Sequence, residues 1–187
     1  MHDGPILFPL LIAGLFGALI GSFLNVCIYR LPRLESIAWP GSHCPRCTHP
    51  IAWYDNIPIV SYVVLAGQCR HCGVRIPFRY PMVEILNALG YVGLFWFFGP
   101  SWATAAYGVL YSALLVVAGT DLSHKIIPNA VTFPGIIVGL VCAATVLPLG
   151  FLDSLLGLLV GGGILWLLAW ASPYLFGKEG MGGGDIK

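Results

Sequence analysis

Five apolar stretches leave this chain few places to fold other than a lipid bilayer. They cover about residues 5–29, 80–98, 102–120, 130–149 and 152–176, each near the roughly 20 residues that a helix needs to cross hydrocarbon. In lipid a spanning segment must satisfy its own backbone N–H and C=O groups, so these stretches are expected as helices. Only 9% of the residues are charged and 58% are hydrophobic, which excludes an ordinary soluble domain, about a quarter of which is charged. The expected class is all-α: a polytopic membrane helix bundle of about five spans.

The first stretch is expected to be a retained span rather than a signal peptide. No Lys or Arg precedes it, its apolar run is too long, and Arg30 and Arg33 follow it. Starting with the N-terminus outside and alternating the spans puts 30–79, 121–129 and 177–187 on the cytoplasmic side. All nine basic residues then lie there: Arg30, Arg33, Arg46, Arg70, Arg75, Arg79, Lys125, Lys178 and Lys187. That bias was not used to choose the spans, so it independently favours this orientation. A basic inner face suits anionic lipid and gives no sign of nucleic acid, and the sequence sets no oligomeric state.

The chain divides into a first span (1–30), a cytoplasmic loop domain (31–79) and a membrane core (80–187). The loop carries Cys44-Pro-Arg-Cys47 and Cys69-Arg-His-Cys72. Two such pairs can grip one tetrahedral ion from two tight turns, as in zinc ribbons, and a site closed by four thiolates folds a loop rather than performing chemistry. The competing reading is two disulfides, which a reducing cytoplasm disfavours. His43, His49 and His71 are alternative ligands, better read as surface residues with four cysteines at hand. Cys27 and Cys142 sit alone within spans and read as small buried apolar residues.

Ionisable groups at membrane depth raise a functional hypothesis. Asp153 opens the last span, where a carboxylate complements the helix dipole. Glu84, with Asn87 three residues later, is read either as a substrate or partner contact or as a polar pair joining helices. Asn25 reads as helix glue in the first span, and Glu179 as solvated. Asp121 stands at the C-terminal end of the third span, where the dipole disfavours negative charge; an ion pair with Lys125 is the structural alternative. Asp185 follows the fifth span on the same side, behind Gly182, Gly183 and Gly184. Two carboxyls brought together do not both ionise easily, so one keeps its proton and the pair can activate a water, which is aspartic protease chemistry. Glycines four residues apart (Gly17 and Gly21, Gly135 and Gly139, Gly157 and Gly161) predict close packing of the first, fourth and fifth spans.

Taken together, "GSFLNVCIYRLP" (21–32), "CPRC", "CRHC", "RIPFRYPMVEILNA" (75–88), "DLSHKIIPN" (121–129) and "EGMGGGDIK" (179–187) resemble the bacterial type IV prepilin leader peptidases, membrane aspartic proteases of the Gly-x-Gly-Asp type. The resemblance implies a catalytic pair of Asp121 and Asp185, supported by Gly182, Gly183 and Gly184. It implies a protein of the bacterial inner membrane that cleaves the basic leader of type IV prepilins and type II secretion pseudopilins at the cytoplasmic face. It also implies a methyltransferase that uses S-adenosylmethionine on the new N-terminus. In the family further membrane helices follow the Gly-x-Gly-Asp segment, whereas this sequence stops two residues after Asp185, so those helices are expected to be absent. The alternatives are a non-catalytic zinc-ribbon scaffold or assembly factor, an inactive truncated peptidase and, more weakly, a transporter.

Overall fold

The computed structural model describes residues 6–176, with side chains through residue 171. Asp185 and the expected glycine support at Gly182, Gly183 and Gly184 lie outside the described residues. Five long helices and one short one make up the fold: α1 (Leu7–Arg30), α2 (Val60–Val64), α3 (Arg79–Phe98), α4 (Trp102–His124), α5 (Asn129–Thr145) and α6 (Phe151–Phe176). Among the described residues no strand forms, only two isolated bridges, His43 with Pro50 and Gln68 with Arg75.

Four helices, α1, α3, α4 and α6, are long and apolar enough to cross a membrane. The fourth expected span falls short: α5 has 17 residues and ends at Thr145 rather than 149, a length of about 26 Å at 1.5 Å per residue. Pro148 explains the early end, because it lacks an N–H and disfavours helical backbone at the residue before it.

Helices α1 and α3 run antiparallel along a seam that glycine makes possible. A Cβ at Gly21 would lie 2.7 Å from the Cα of Glu84, and one at Gly17 would lie 2.9 Å from the Cα of Ala88. Backbones that close leave room for interhelical hydrogen bonds. Asn87, fully buried, donates to the Gly17 carbonyl at 2.7 Å and accepts from the Ser112 hydroxyl at 3.0 Å. One side chain thereby links α1, α3 and α4. Asn25 adds a further tie, its amide donating to the Tyr80 carbonyl at 3.0 Å. Leu24, Cys27, Ile28 and Val116 form the apolar core between α1 and α4.

The other two glycine pairs meet no neighbouring helix among the described residues. No described atom comes within 4 Å of a Cβ built at Gly135, Gly139, Gly157 or Gly161, so the expected packing of the first span on the fourth and fifth through these glycines is corrected to a seam between α1 and α3. Cys142 is half-buried, whereas Cys27 is buried. Gly21→Leu is expected to force α1 off α3 and lower stability in detergent by about 2–3 kcal/mol, while Gly135→Leu stays within about 0.5 kcal/mol. Thermal unfolding followed by circular dichroism reads the contrast, and equal losses would refute the seam.

Candidate metal centre and active-site face

Ile28, near the C-terminus of α1, packs against Gly119, near the C-terminus of α4, so these helices run parallel. Because α3 is antiparallel to α1, one end of the bundle collects Arg30, Arg79 and Asp121 together with the loop that joins α1 to α3.

The loop folds around its cysteines. The sulfurs of Cys44, Cys47, Cys69 and Cys72 all lie within 4.8 Å of one another. Two of the separations are 3.8 Å (Cys44 to Cys72) and 4.0 Å (Cys47 to Cys69). A tetrahedral ion with metal–sulfur bonds of about 2.3 Å requires sulfurs about 3.8 Å apart. All four thiols are free, and both distances are far beyond the S–S bond of about 2.05 Å, so the disulfide alternative does not hold. None of His43, His49 or His71 belongs to the cluster; the rings of His49 and His71 stack on each other with centroids 3.4 Å apart.

Each cysteine pair sits on the same kind of turn. The N–H of Thr48 donates to the Cys44 carbonyl and that of Gly73 to the Cys69 carbonyl, both at 2.9 Å. The residue after each second cysteine is left-handed, Thr48 at φ 57° and Gly73 at φ 66°, a conformation for which glycine carries no steric cost. In the first turn the Cys47 N–H aimed at the Cys44 sulfur holds that thiol below the usual cysteine range, while its close neighbours push the Cys47 thiol above it, so the first proton leaves the cluster from Cys44.

Two side chains of the helices, Arg30 and Glu84, fix the loop to the bundle. The Arg30 guanidinium, 7% exposed, donates to the carbonyls of Ser36 (2.9 Å), Pro40 (2.7 Å) and Gly41 (3.4 Å). Glu84 accepts from the Ile59 N–H at 2.7 Å, just where α2 begins. Within the loop Arg70 grips Asp55 with two bonds of 2.8 and 2.6 Å and so holds that carboxyl below the usual carboxylate range. Sequence reasoning treated Arg30 only as part of the basic inner face. Its three carbonyl partners come from a loop that doubles back, which no local pattern reveals.

Asp121 stands apart from the metal cluster. Helix α4 runs on to His124, so Asp121 lies in its last turn, exposed. Its carbonyl accepts the N–H of Lys125 at 2.7 Å, and Lys125 ends the helix in a left-handed conformation. The alternative of an Asp121–Lys125 ion pair does not hold, since among the described residues the one ion pair joins Arg70 to Asp55. Of the expected site residues, then, the structure gathers the four cysteines, places Asn25 and Glu84 on the α1–α3 seam, and leaves Asp121 at the same end with no ion pair among the described residues.

Comparison with known proteins agrees with this arrangement. Residues 15–98 match the bacterial peptidase A24 N-terminal domain, and residues 108–187 match the type IV leader peptidase family. A Myxococcus xanthus protein named prepilin leader peptidase/N-methyltransferase is 41% identical over 95% of this chain and 53% of its own length. Proteins of the same name from Pseudomonas aeruginosa and Neisseria gonorrhoeae are 37% and 35% identical, over 92% and 100% of this chain and 68% and 74% of their own lengths. This chain thus spans about half to three quarters of these relatives. No solved structure matches it. The match covers both the cysteine-bearing segment and the segment with Asp121 and Asp185, and the chain belongs to the type IV leader peptidase family.

Proposed function

We propose that this chain is a membrane aspartic endopeptidase that removes the basic leader of type IV prepilins and related pseudopilins, with Asp121 and Asp185 as its catalytic pair. The observation that carries this reading is the family match over both halves of the chain; it does not favour a non-catalytic scaffold. Asp121 suits the role because it is exposed and, among the described residues, free of an ion pair at the loop-bearing end of the bundle. An ionised Asp takes a proton from water as the water attacks the peptide carbonyl, and the protonated Asp hydrogen-bonds the developing oxyanion. The proton then passes to the leaving amine, and the peptide C–N bond breaks.

The bias of the basic residues toward this end supports a cytoplasmic orientation for it, with the N-terminus outside. A prepilin offers a basic leader followed by an apolar helix, so the helix enters laterally from the bilayer while the leader stays at the interface. The ion suited to the four cysteines is zinc: their sulfur spacing matches a closed tetrahedral site, whose role is to fold the loop.

The relatives' shared name adds N-methylation, for which S-adenosylmethionine supplies an electrophilic methyl group. Bound to the chain, it would supply that methyl group to the new amine, with the amine's surplus proton going to solvent.

Mass spectrometry of a prepilin incubated with the chain in detergent tests the peptidase. The expected product has lost the leader after its glycine. An intact prepilin after prolonged incubation with metal-loaded, folded chain would overturn the reading. A prepilin peptide without its apolar segment is expected to be cut more slowly, and equal rates would rule out lateral entry.

A further inference from the structure

Helix α2 is built the wrong way round for water. Its polar Ser61 is buried, whereas Val60, Val63 and Val64, which share one face at i, i+3 and i+4, are 54%, 71% and 71% exposed. The buried side is fully engaged. Ser61 donates to the Tyr54 carbonyl and accepts from the Ile57 N–H, both at 3.0 Å. Ile59, Ser61, Tyr62 and Leu65 line a cavity of about 370 Å³ between the cysteine loop and the ends of α1 and α3, which Glu84 also borders. None of the three valines lines it, so α2 stands between that cavity and its surroundings.

The depth of α2 follows from α3. The Ile59 N–H, just before α2, donates to Glu84 at 2.7 Å. Glu84 lies five residues after Arg79, where α3 begins, which is about 7.5 Å along a helix able to cross the membrane. Tyr62 packs edge-on against Phe78, just before α3, with ring centroids 6.3 Å apart. Helix α2 is thus held level with the first turns of a span, at the roughly 5–10 Å depth to which interfacial helices bury their apolar faces. Holding it there takes a strained link. Ile59 has φ 63° and ψ −49°, and the Val60 N–H reaches back to the Pro58 carbonyl at 2.6 Å, the rare and strained form of γ-turn, here on a β-branched residue. Such backbone persists only where its surroundings hold it, and the Glu84 carboxylate holds this one.

We propose that the face formed by Val60, Val63 and Val64 rests in the headgroup–acyl boundary of the bilayer, so that the cysteine loop is moored to lipid through α2. At that depth three exposed valines meet acyl chain rather than water, on a surface continuous with the outer side of α3, where Leu89 is 62% exposed. Charge agrees with this seat. Arg75 and Arg79, on either side of Phe78 in the chain, are exposed and in no ion pair among the described residues, and their guanidinium groups suit anionic headgroups. The bilayer seats α2 alone; the turns that carry the cysteines stay with the metal.

Photolabelling of the full, metal-loaded chain in nanodiscs of phosphatidylethanolamine and phosphatidylglycerol tests the seat, with a diazirine high on one acyl chain of the phosphatidylglycerol and no prepilin present. Mass spectrometry of the digested chain locates the adducts, and Leu89 serves as the internal standard for a lipid-facing residue. Adducts on Val60, Val63 and Val64 are expected within about threefold of those on Leu89. Val63→Glu combined with Val64→Glu is expected to lower labelling of Val60 about tenfold by lifting α2 out of the interface, with bound metal unchanged as the check on loop folding. If that variant loses its metal, the unaltered chain decides alone. Unlabelled valines beside a labelled Leu89 would overturn the proposal, as would undiminished labelling of Val60 in the folded variant. A prepilin carrying the diazirine in its apolar helix supplies the competing case: adducts from the prepilin on these valines, with none from lipid, would give the face to the substrate and overturn the lipid seat.

Discussion

Asp121→Asn is expected to slow leader cleavage at least about 1,000-fold, a loss of about 4 kcal/mol of transition-state stabilisation, without unfolding the chain. Substitution of a buried, paired carboxylate would leave the outcome ambiguous, because the fold and the chemistry would fail together. Asp121 avoids that ambiguity. It is exposed in the last turn of α4, makes no ion pair among the described residues, and is not one of the clustered metal-site residues. Asparagine keeps the shape and removes the proton-transfer capacity, so a dyad that must divide one proton between two carboxyls stops working. Asp185→Asn is expected to match it, and the double variant to be no worse than either single one, because the two groups act as a unit. Single-turnover cleavage of a prepilin, alongside the melting temperature, reads both quantities. An Asp121→Asn chain that cuts within tenfold of the parent rate would remove Asp121 from the chemistry.

What the sequence made legible here is what depends on composition and short spacing. Apolar length marks the spans, because crossing hydrocarbon is a local requirement. The two Cys-x-x-Cys pairs mark the metal site, because each pair is one turn of backbone and the four sulfurs meet as tetrahedral geometry asks. Asp121 at a helix end was visible from the same kind of pattern. The glycine pairs were not equally legible. All three have the same spacing, yet only Gly17 and Gly21 meet another backbone. Their partner is decided by Asn87, whose side chain reaches the Gly17 carbonyl from 70 residues away. Glu84 likewise has a local reading as helix glue, while its bond to Ile59 and its place on a cavity wall depend on how a long loop returns.

Replacing Cys44 and Cys69 with Ser is expected to abolish metal binding and unfold the loop while the helix bundle persists. Structural zinc bound by cysteines contributes an apparent 10–16 kcal/mol or so in small metal-folded peptides, and this loop has little else to hold it. Its one α-helix, α2, has five residues, with Val63 and Val64 each 71% exposed. Its remaining ties are the Arg30 and Glu84 contacts, the Tyr62 and Ser61 hydroxyls on the Ile76 and Tyr54 carbonyls, the backbone bonds of its turns and the Arg70–Asp55 pair, and the exposed pair adds at most a fraction of what the metal supplies. The bundle does not depend on those ties, since Gly17, Gly21, Asn87 and Ser112 hold α1, α3 and α4 together along their lengths. Metal stoichiometry should fall from one per chain to none, limited proteolysis should shift to residues 31–79, and helical ellipticity should stay within about a tenth of the parent value, since little of that loop is helical. A loop that stays protected from protease after the metal is gone would show that Arg30 and Glu84 suffice to hold it, and that the four cysteines serve something other than its fold.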